Sequence, residues 1–470
     1  MSPRRRSFAR PLPLKPLAAC LAALFAVTDS GATPTHPSGA VVVTNCLDSG
    51  AGSLRQAVIS GAPGDPIDLT QLTCSQISLT SGRIDVNRDL LIQGPGPDLL
   101  TIDGTHTDRI FNQNGSNVLA LYGLKLQRGY SSSFGGGCVY SKGPLQLNNT
   151  VITSCQVLDF GSSATYAGGG VLVNSSLTMI NSSILNNQIY SSLGNAIGGG
   201  ASVSGNVVLD HSTISGNSVT NASGQITSSG GIDVGGALVM MYSTISNNAV
   251  GGLPNSPGGV GGARVFQGAQ ISNSTISGNT VDGGVGGLML YGSSTAPNVI
   301  TNSTISGNTA AVIGGIYAHG QTKISNSTIA FNTETALAHG GGLRLAYTVA
   351  DIESSIIASN TSSGTTQNID LGIGGGVSGA NDLIGPSGSV SLPPDTIQSD
   401  PQLLALADNG GPTRTHALSS GSPAVDAGNN NASLTNDQRG TGFPRIVGAG
   451  PDIGAFEGVD TDRIFANGFD

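Results

Sequence analysis

Isoleucine recurs along the chain between small hydroxyl-bearing residues. Asn273-Ser-Thr-Ile-Ser-Gly-Asn279 returns as Asn302-Ser-Thr-Ile-Ser-Gly-Asn308, and with changes as Asn326-Ser-Thr-Ile-Ala-Phe-Asn332 and Asn181-Ser-Ser-Ile-Leu-Asn-Asn187. Alignment gives one anchor per unit at Ile152, Ile184, Ile214, Ile245, Ile276, Ile305, Ile329 and Ile357, with gaps of 32, 30, 31, 31, 29, 24 and 28 residues. A fixed period in this range is the mark of a solenoid or array.

A second ladder lies between the anchors. Glycine pairs end at Gly137, Gly170, Gly200, Gly236, Gly262, Gly287, Gly315 and Gly342. The residues one and three places later are mostly apolar, and the residue between them varies: Val139, Leu172, Ser202, Leu238, Arg264, Met289, Tyr317 and Arg344. Apolar positions alternating with a permissive one have period two, the geometry of a strand. Ser-Thr-Ile suits strands, and the glycine pairs are expected to supply the φ values of tight corners. No unit carries the long amphipathic run of a helical solenoid or the leucine spacing of a leucine-rich repeat. Each unit therefore predicts one coil of a parallel β-helix, all-β, with about ten coils stacked at roughly 4.8 Å. Three residues after the anchors stand Asn187, Asn217, Asn248, Asn279, Asn308, Asn332 and Asn360, with Cys155 in that place in the first unit. Stacked asparagines can bond to each other and satisfy buried corner backbone, so this row is expected to be structural.

Composition changes the picture at the chain ends. The 470 residues include 71 Gly, 10% charged residues and no Trp, with a formal net charge of −9. There is no basic patch to suggest nucleic acid. Arg4, Arg5, Arg6, Arg10 and Lys15 precede an apolar run from Leu17 to Val27, and Ser30-Gly31-Ala32 follows, so residues 1–32 read as an export signal. The run is too short for a permanent membrane span, and no transmembrane segment is expected in the mature chain. Arg5-Arg6-Ser7-Phe8 fits a twin-arginine signal loosely, which leaves the export route open. Without residues 1–32 the chain keeps 14 basic and 27 acidic residues, a net −13. Four cysteines then remain, and in an exported chain the simplest pairing is Cys46–Cys74 and Cys138–Cys155. Their spacing matches no zinc pattern.

Residues 41–127 depart from the repeat. Ser53-Leu-Arg-Gln-Ala-Val-Ile59 predicts a short helix with Ser53 as N-cap, and strand-like pieces follow at 90–93, 100–103 and 118–126. This region reads as an N-terminal cap and first coils, because a β-helix must cover its end edges. Residues 128–385 hold the repeats, with a last coil expected around 371–384.

Two stretches resemble known families. Val43-Thr-Asn-Cys-Leu-Asp-Ser-Gly-Ala-Gly-Ser-Leu-Arg-Gln-Ala57 resembles the CSLREA-type opening of bacterial surface β-helix proteins, and Ile92-Gln-Gly-Pro-Gly96 and Leu100-Thr-Ile-Asp-Gly104 continue that pattern. Gly235-Gly-Ala237 and Gly261-Gly-Ala263 are similar to repeats of the polymorphic outer-membrane-protein family, although Ile-x-x-Asn stands here for Phe-x-x-Asn. Asn409-Gly-Gly-Pro-Thr-Arg-Thr-His416, Gly421-Ser-Pro-Ala-Val-Asp-Ala-Gly428, Asp437-Gln-Arg-Gly440 and Asp452-Ile-Gly-Ala-Phe-Glu457 resemble the C-terminal choice-of-anchor domain. Together the resemblances cover most of residues 41–457. They imply a right-handed, pectin-lyase-like β-helix, with residues 395–457 as a surface-association module. The tail 458–470 is similar to short tails of exported proteins from some Gram-negative bacteria, and the alternating strands of an autotransporter barrel are not found.

Catalytic signatures are sparse. The repeats from 128 to 360 hold only Asp159, Asp210, Asp233, Asp282, Asp351, Glu334 and Glu353, and none shares a repeat position with another on a neighbouring coil in this alignment. That counts against the stacked carboxylates of a calcium-dependent lyase and the paired carboxylates of a hydrolase. His319 and His339 read as turn residues, and Asp426, Asp437, Asp452 and Glu457 as turn acids; no metal or cofactor is expected. The candidate ligand-binding residues are Arg264, Tyr317 and Arg344, an outward row that could grip an anionic glycan. The sequence thus predicts an exported or cell-surface β-helix with a structural or adhesive role, meeting envelope or extracellular polysaccharide or surface proteins. The alternative is a polysaccharide lyase or hydrolase acting on an acidic glycan.

Overall fold

Among the described residues, alternating apolar positions form four stacked sheets of 13, 12, 11 and 10 strands, and successive coils pair in parallel. The structure, a computed structural model, describes residues 39–159, 161, 164–221, 229–252, 258–336 and 339–458. Residues 1–32, expected as an export signal, and the tail from 459 onward lie outside them. A representative coil runs Ala263–Val265, Ala269–Ser272, Thr275–Ser277 and Thr280–Val281. We call these four the glycine sheet, the broad sheet, the anchor sheet and the short sheet. The protein is a parallel β-helix, with eleven strands in its glycine sheet.

The anchors stack as predicted. Ile152, Ile184, Ile214, Ile245, Ile276, Ile305, Ile329 and Ile357 pair one with the next along the anchor sheet. Each is fully buried in one continuous core. The row extends backward through Leu126, Ile102 and Ile77 and forward to Ile384. Burying a side chain of this size contributes about 1.5–3 kcal/mol, so the column is a main source of stability.

The asparagine ladder is also present. From Asn187 to Asn332 each side-chain amide donates to the next asparagine Oδ1 at 2.9 Å. The same amide donates to an anchor carbonyl one coil back, as Asn279 does to Ile245 at 3.0 Å. A final member, Asn368, follows Asn360 by only eight residues. There the chain folds back, pairing Thr361–Ser362 antiparallel with Thr365–Thr366. A parallel ladder of hydroxyls runs from Thr150 through Ser182, Ser212, Ser243, Ser274, Ser303, Ser327 and Ser355, each backbone N–H donating to the next Oγ. It ends on Asp382, whose Oδ1 accepts from Ser355 N at 2.9 Å.

The glycine register needs two corrections. In one coil the pair equivalent to Gly261-Gly262 is Gly230-Gly231, since Ile232–Val234 pairs with Ala263–Val265. Gly235-Gly236 lies at the following corner, and the outward residue there is Asp233, not Leu238. In the first repeat Val139–Ser141 pairs with Val171–Val173, so Tyr140 takes the outward place and Val139 is buried. Two corners of one coil carry glycine pairs, and only the burial of Ile232 and Val234 chooses between them. Gly136 supplies a positive φ of 66° as expected, but most of the pairs serve another purpose. Gly261 has no positive φ, but a Cβ there would collide with the carbonyl of Gly286 one coil on.

The helix Leu54–Ser60 forms with Ser53 as N-cap, its Oγ accepting from Gln56 N at 3.2 Å. It buries Leu54, Ala57 and Val58 over the first coils. Cys46 is joined to Cys74 and Cys138 to Cys155, with Cα separations of 6.5 and 5.5 Å. The second bridge stands at the head of the asparagine ladder, where Cys155 N donates to Asn187 Oδ1. Residues 401–458 form a strap over the outside of the anchor sheet. Asn273, Asn302 and Asn326, each with φ near 50°, donate to strap carbonyls of Asp437, Asn436 and Asn429 at 2.8–3.0 Å.

Candidate ligand-binding face

The outward row of the glycine sheet reads Tyr140, Leu172, Ser202, Asp233, Arg264, Met289, Tyr317, Arg344 and Asp370, paired in register. Arg264 occupies its expected place, yet it is only 7% exposed and its guanidinium is held by Asp233 at 2.6 Å. Phe266 covers it, with the ring centroid 5.1 Å from the guanidinium carbon. Burial pushes the Asp233 carboxyl up, and Arg264 pulls it back. Arg344 is less enclosed and meets Asp370 on the next coil, Nε to Oδ2 at 3.3 Å.

Beside this row stands a column of rings, one per coil: Phe266, Tyr291, His319 and Tyr347. Phe266 stacks on Tyr291 at 5.6 Å, Tyr291 meets His319 at 5.4 Å, and His319 meets Tyr347 at 4.9 Å. Tyr317 turns its edge to Tyr291 at 6.3 Å. Phe266 and Tyr347 are exposed, and Tyr291, Tyr317 and His319 half-buried. Burial pushes the Tyr317 phenol up, so it remains a hydrogen-bond donor at neutral pH. A depression of about 400 Å³ opens here, lined among others by Met289, Tyr291, Tyr317, Arg344, Tyr347 and Ile373. Two of the three predicted residues, Tyr317 and Arg344, meet in it, and Arg264 lies outside its lining. The rings of Phe266, Tyr291 and Tyr347 were not foreseen. They sit just beyond the strand positions that were aligned, and their spacings of 25 and 28 residues between successive rings were the available signal. His319, expected as a turn residue, ends the strand Ile316–His319 and precedes the turn at Gly320.

A larger cleft of about 810 Å³ lies under the strap. Three of its lining residues hold the strap: Thr275 Oγ1 donates to Arg414 O, Thr413 Oγ1 donates to Asn273 O, and Ser306 meets His416. His416 Nδ1 lies 2.6 Å from the Leu404 carbonyl, which assigns it the proton, and Nε2 then accepts from Ser306 Oγ at 2.7 Å. Burial pushes His416 below its ordinary value and keeps the ring neutral. The acids of the strap, expected as turn residues, bind buried arginines and backbone N–H groups from elsewhere in the strap. Asp437 pairs with Arg439 at 2.6 Å, and the guanidinium lies between Phe443 and Phe456 at 4.1 and 4.0 Å. Glu457 pairs with the fully buried Arg445 at 2.9 Å. Burial pushes Glu457 up and Arg445 down, each toward its neutral form. Three N–H donors converge on the carboxylate, from Arg445, Val447 and Asp452, and the ion pair is the form that satisfies them. Among the described residues no group of three His, Cys, Asp or Glu side chains is placed to hold a metal ion, and no helix is long and apolar enough to cross a membrane.

No family model matches the sequence. No curated protein matches it either. Among solved structures the chain is similar to the crystal structure of pectate lyase Pel9A, at 14% identity and a TM-score of 0.43, over 89% of this chain and 96% of that one. A likeness of that size carries no argument about activity. The strand register itself establishes the class, a parallel β-helix.

Proposed function

We propose that this chain is an exported, cell-surface rod with a structural or adhesive role, and that its glycine-sheet face binds carbohydrate. The observation that carries this reading is the column of four rings, one per coil, beside Tyr317 and Arg344. Aromatic side chains offer a rigid apolar face with, in Tyr, a polar tip, and so can pack against a sugar ring while bonding to its hydroxyls. A β-helix repeats such a face at constant spacing, which suits a polymeric ligand. In this reading residues 1–32 direct export and the strap, within 395–457, serves surface association.

The lining of the depression contains no carboxylate among the described residues, which weighs against the two-carboxylate chemistry of a hydrolase. The test is to incubate the purified protein with a panel of neutral and acidic polysaccharides, scoring retention and the appearance of new reducing or unsaturated ends. Retention without new ends, weakened by Tyr291→Ala, is expected. New ends would replace this reading with that of a polysaccharide lyase or hydrolase.

A further inference from the structure

The two arginines of the face decide what kind of glycan it can take. Each is already matched by an acid on the adjacent coil: Asp233 stands directly before Arg264, and Asp370 directly after Arg344. Arg264 is buried as well and closed off by Phe266. Arg344 is nearer the surface, but its charge is already matched by Asp370. Asp370 Oδ2 is buried with no hydrogen bond, and the Arg344 guanidinium is what compensates its charge. Drawing Arg344 toward a ligand carboxylate would strip the half-buried Asp370 of its counter-charge, leaving the enclosed Oδ2 without a partner and the carboxylate facing the ligand's own negative charge. In the exported reading the net −13 of the chain without residues 1–32 adds a long-range repulsion against polyanions.

Resting on the carbohydrate-binding reading, we infer that the ligand is an uncharged polysaccharide, held by stacking on Tyr291, Tyr317 and Tyr347 along the coil axis, and that Asp370 acts as a built-in selectivity element against uronic-acid polymers. Arg344 then works as a neutralised pair, donating hydrogen bonds to sugar hydroxyls with the N–H groups that Asp370 leaves free. Asp370 and Asp233 exclude the anionic ligands that a bare arginine row would attract.

The test is affinity electrophoresis of the full chain in gels carrying xylan, galactomannan, hydroxyethylcellulose, polygalacturonate or alginate. Retardation by at least one of the three neutral polymers and by neither uronate is expected. Tyr291→Ala should weaken that retardation by roughly tenfold, the loss of one stacking contact. Asp370→Asn should gain retardation by polygalacturonate that disappears at high salt, because it frees one cation. Tyr347→Ala, at an exposed position, provides a second loss variant if Tyr291→Ala fails to fold. Retardation of the unaltered protein by polygalacturonate, abolished by Arg344→Ala, would overturn the inference while leaving carbohydrate binding in place. No retardation by any of the five polymers would overturn the binding face itself.

Discussion

Replacing Asn279 with alanine in the middle of the ladder removes four hydrogen bonds from a site with no water access. Its Oδ1 accepts from Asn248 N at 3.0 Å and from Asn248 Nδ2 at 2.9 Å, and its amide donates to Ile245 O at 3.0 Å and Asn308 Oδ1 at 2.9 Å. A buried group left without its partner costs about 1–3 kcal/mol. The Asn248 backbone N–H is the group that loses most, since the Ile245 carbonyl stays within the parallel ladder to the next coil and the neighbouring amides keep other partners. The expected cost is about 3–5 kcal/mol, a large share of the roughly 5–15 kcal/mol that holds an ordinary domain together. Asn279→Asp tests the geometry more sharply because it preserves shape. It retains the accepting oxygen but sets a second oxygen against Asn308 Oδ1 and the Ile245 carbonyl. Near neutral pH it should therefore be no more stable than Asn279→Ala, and it should recover when acid protonates the carboxyl. Urea unfolding followed by circular dichroism gives the stability. Hydrogen exchange of peptides spanning residues 240–310 shows whether the loss is centred on these coils. An Asn279→Asp protein as stable as the parent at pH 7 would refute the ladder as a source of stability.

Three further outcomes follow from features elsewhere. Burial pushes the Asp382 carboxyl up to about 8, with Asp395, Glu353 and Asp351 adding to the effect. The folded state then holds this proton more tightly than the unfolded one, so its contribution is complete below pH of about 4 and is lost as pH rises through about 8; melting temperature should fall over that window, and Asp382→Asn should flatten the profile. Gln438 is buried and donates to Thr275 Oγ1, Thr413 Oγ1 and Arg414 O while accepting from Thr304 Oγ1. Gln438→Ala should expose Arg414, Arg439 and Arg445 to trypsin at least several-fold faster while the coils stay resistant, and an unchanged digestion pattern would remove the strap contacts from the argument. Non-reducing peptide maps should join Cys46 to Cys74 and Cys138 to Cys155; removing the second pair should cost about 2–4 kcal/mol, read from urea midpoints.

Features that every coil repeats were legible in the sequence. Ile276 and Asn279 could be identified because neighbouring coils place the same residue against them, and that stacking makes each recurrence visible. Legibility failed where one coil offered two equivalent marks, as with Gly230-Gly231 and Gly235-Gly236, where only the three-dimensional packing of Ile232 chose the register. That error hid Asp233 beneath Arg264 and made the arginine look free. The ring column stayed hidden because Phe266, Tyr291, His319 and Tyr347 stand at or just past the ends of their strands, outside the aligned core. The strap contacts had no period to reveal them: Asn302 and Asn436 are 134 residues apart and meet once. Asp382 was obscure for a related reason, since it takes the serine position only at the ladder's last rung.

The strap has a consequence for how the rod comes apart. In a simple solenoid each coil touches only its neighbours, so the ends can unravel one coil at a time. Here the strap is fastened at Asn273, Asn302, Asn326 and Ser354 together. Pulling on the C-terminal end therefore loads several coils in parallel rather than in series, and none of them can leave before the strap detaches. The N-terminal coils, which the strap does not reach, retain the serial behaviour. Under force the molecule should resist as one block at its C-terminal end and yield stepwise at the other, a polarity suited to a tether.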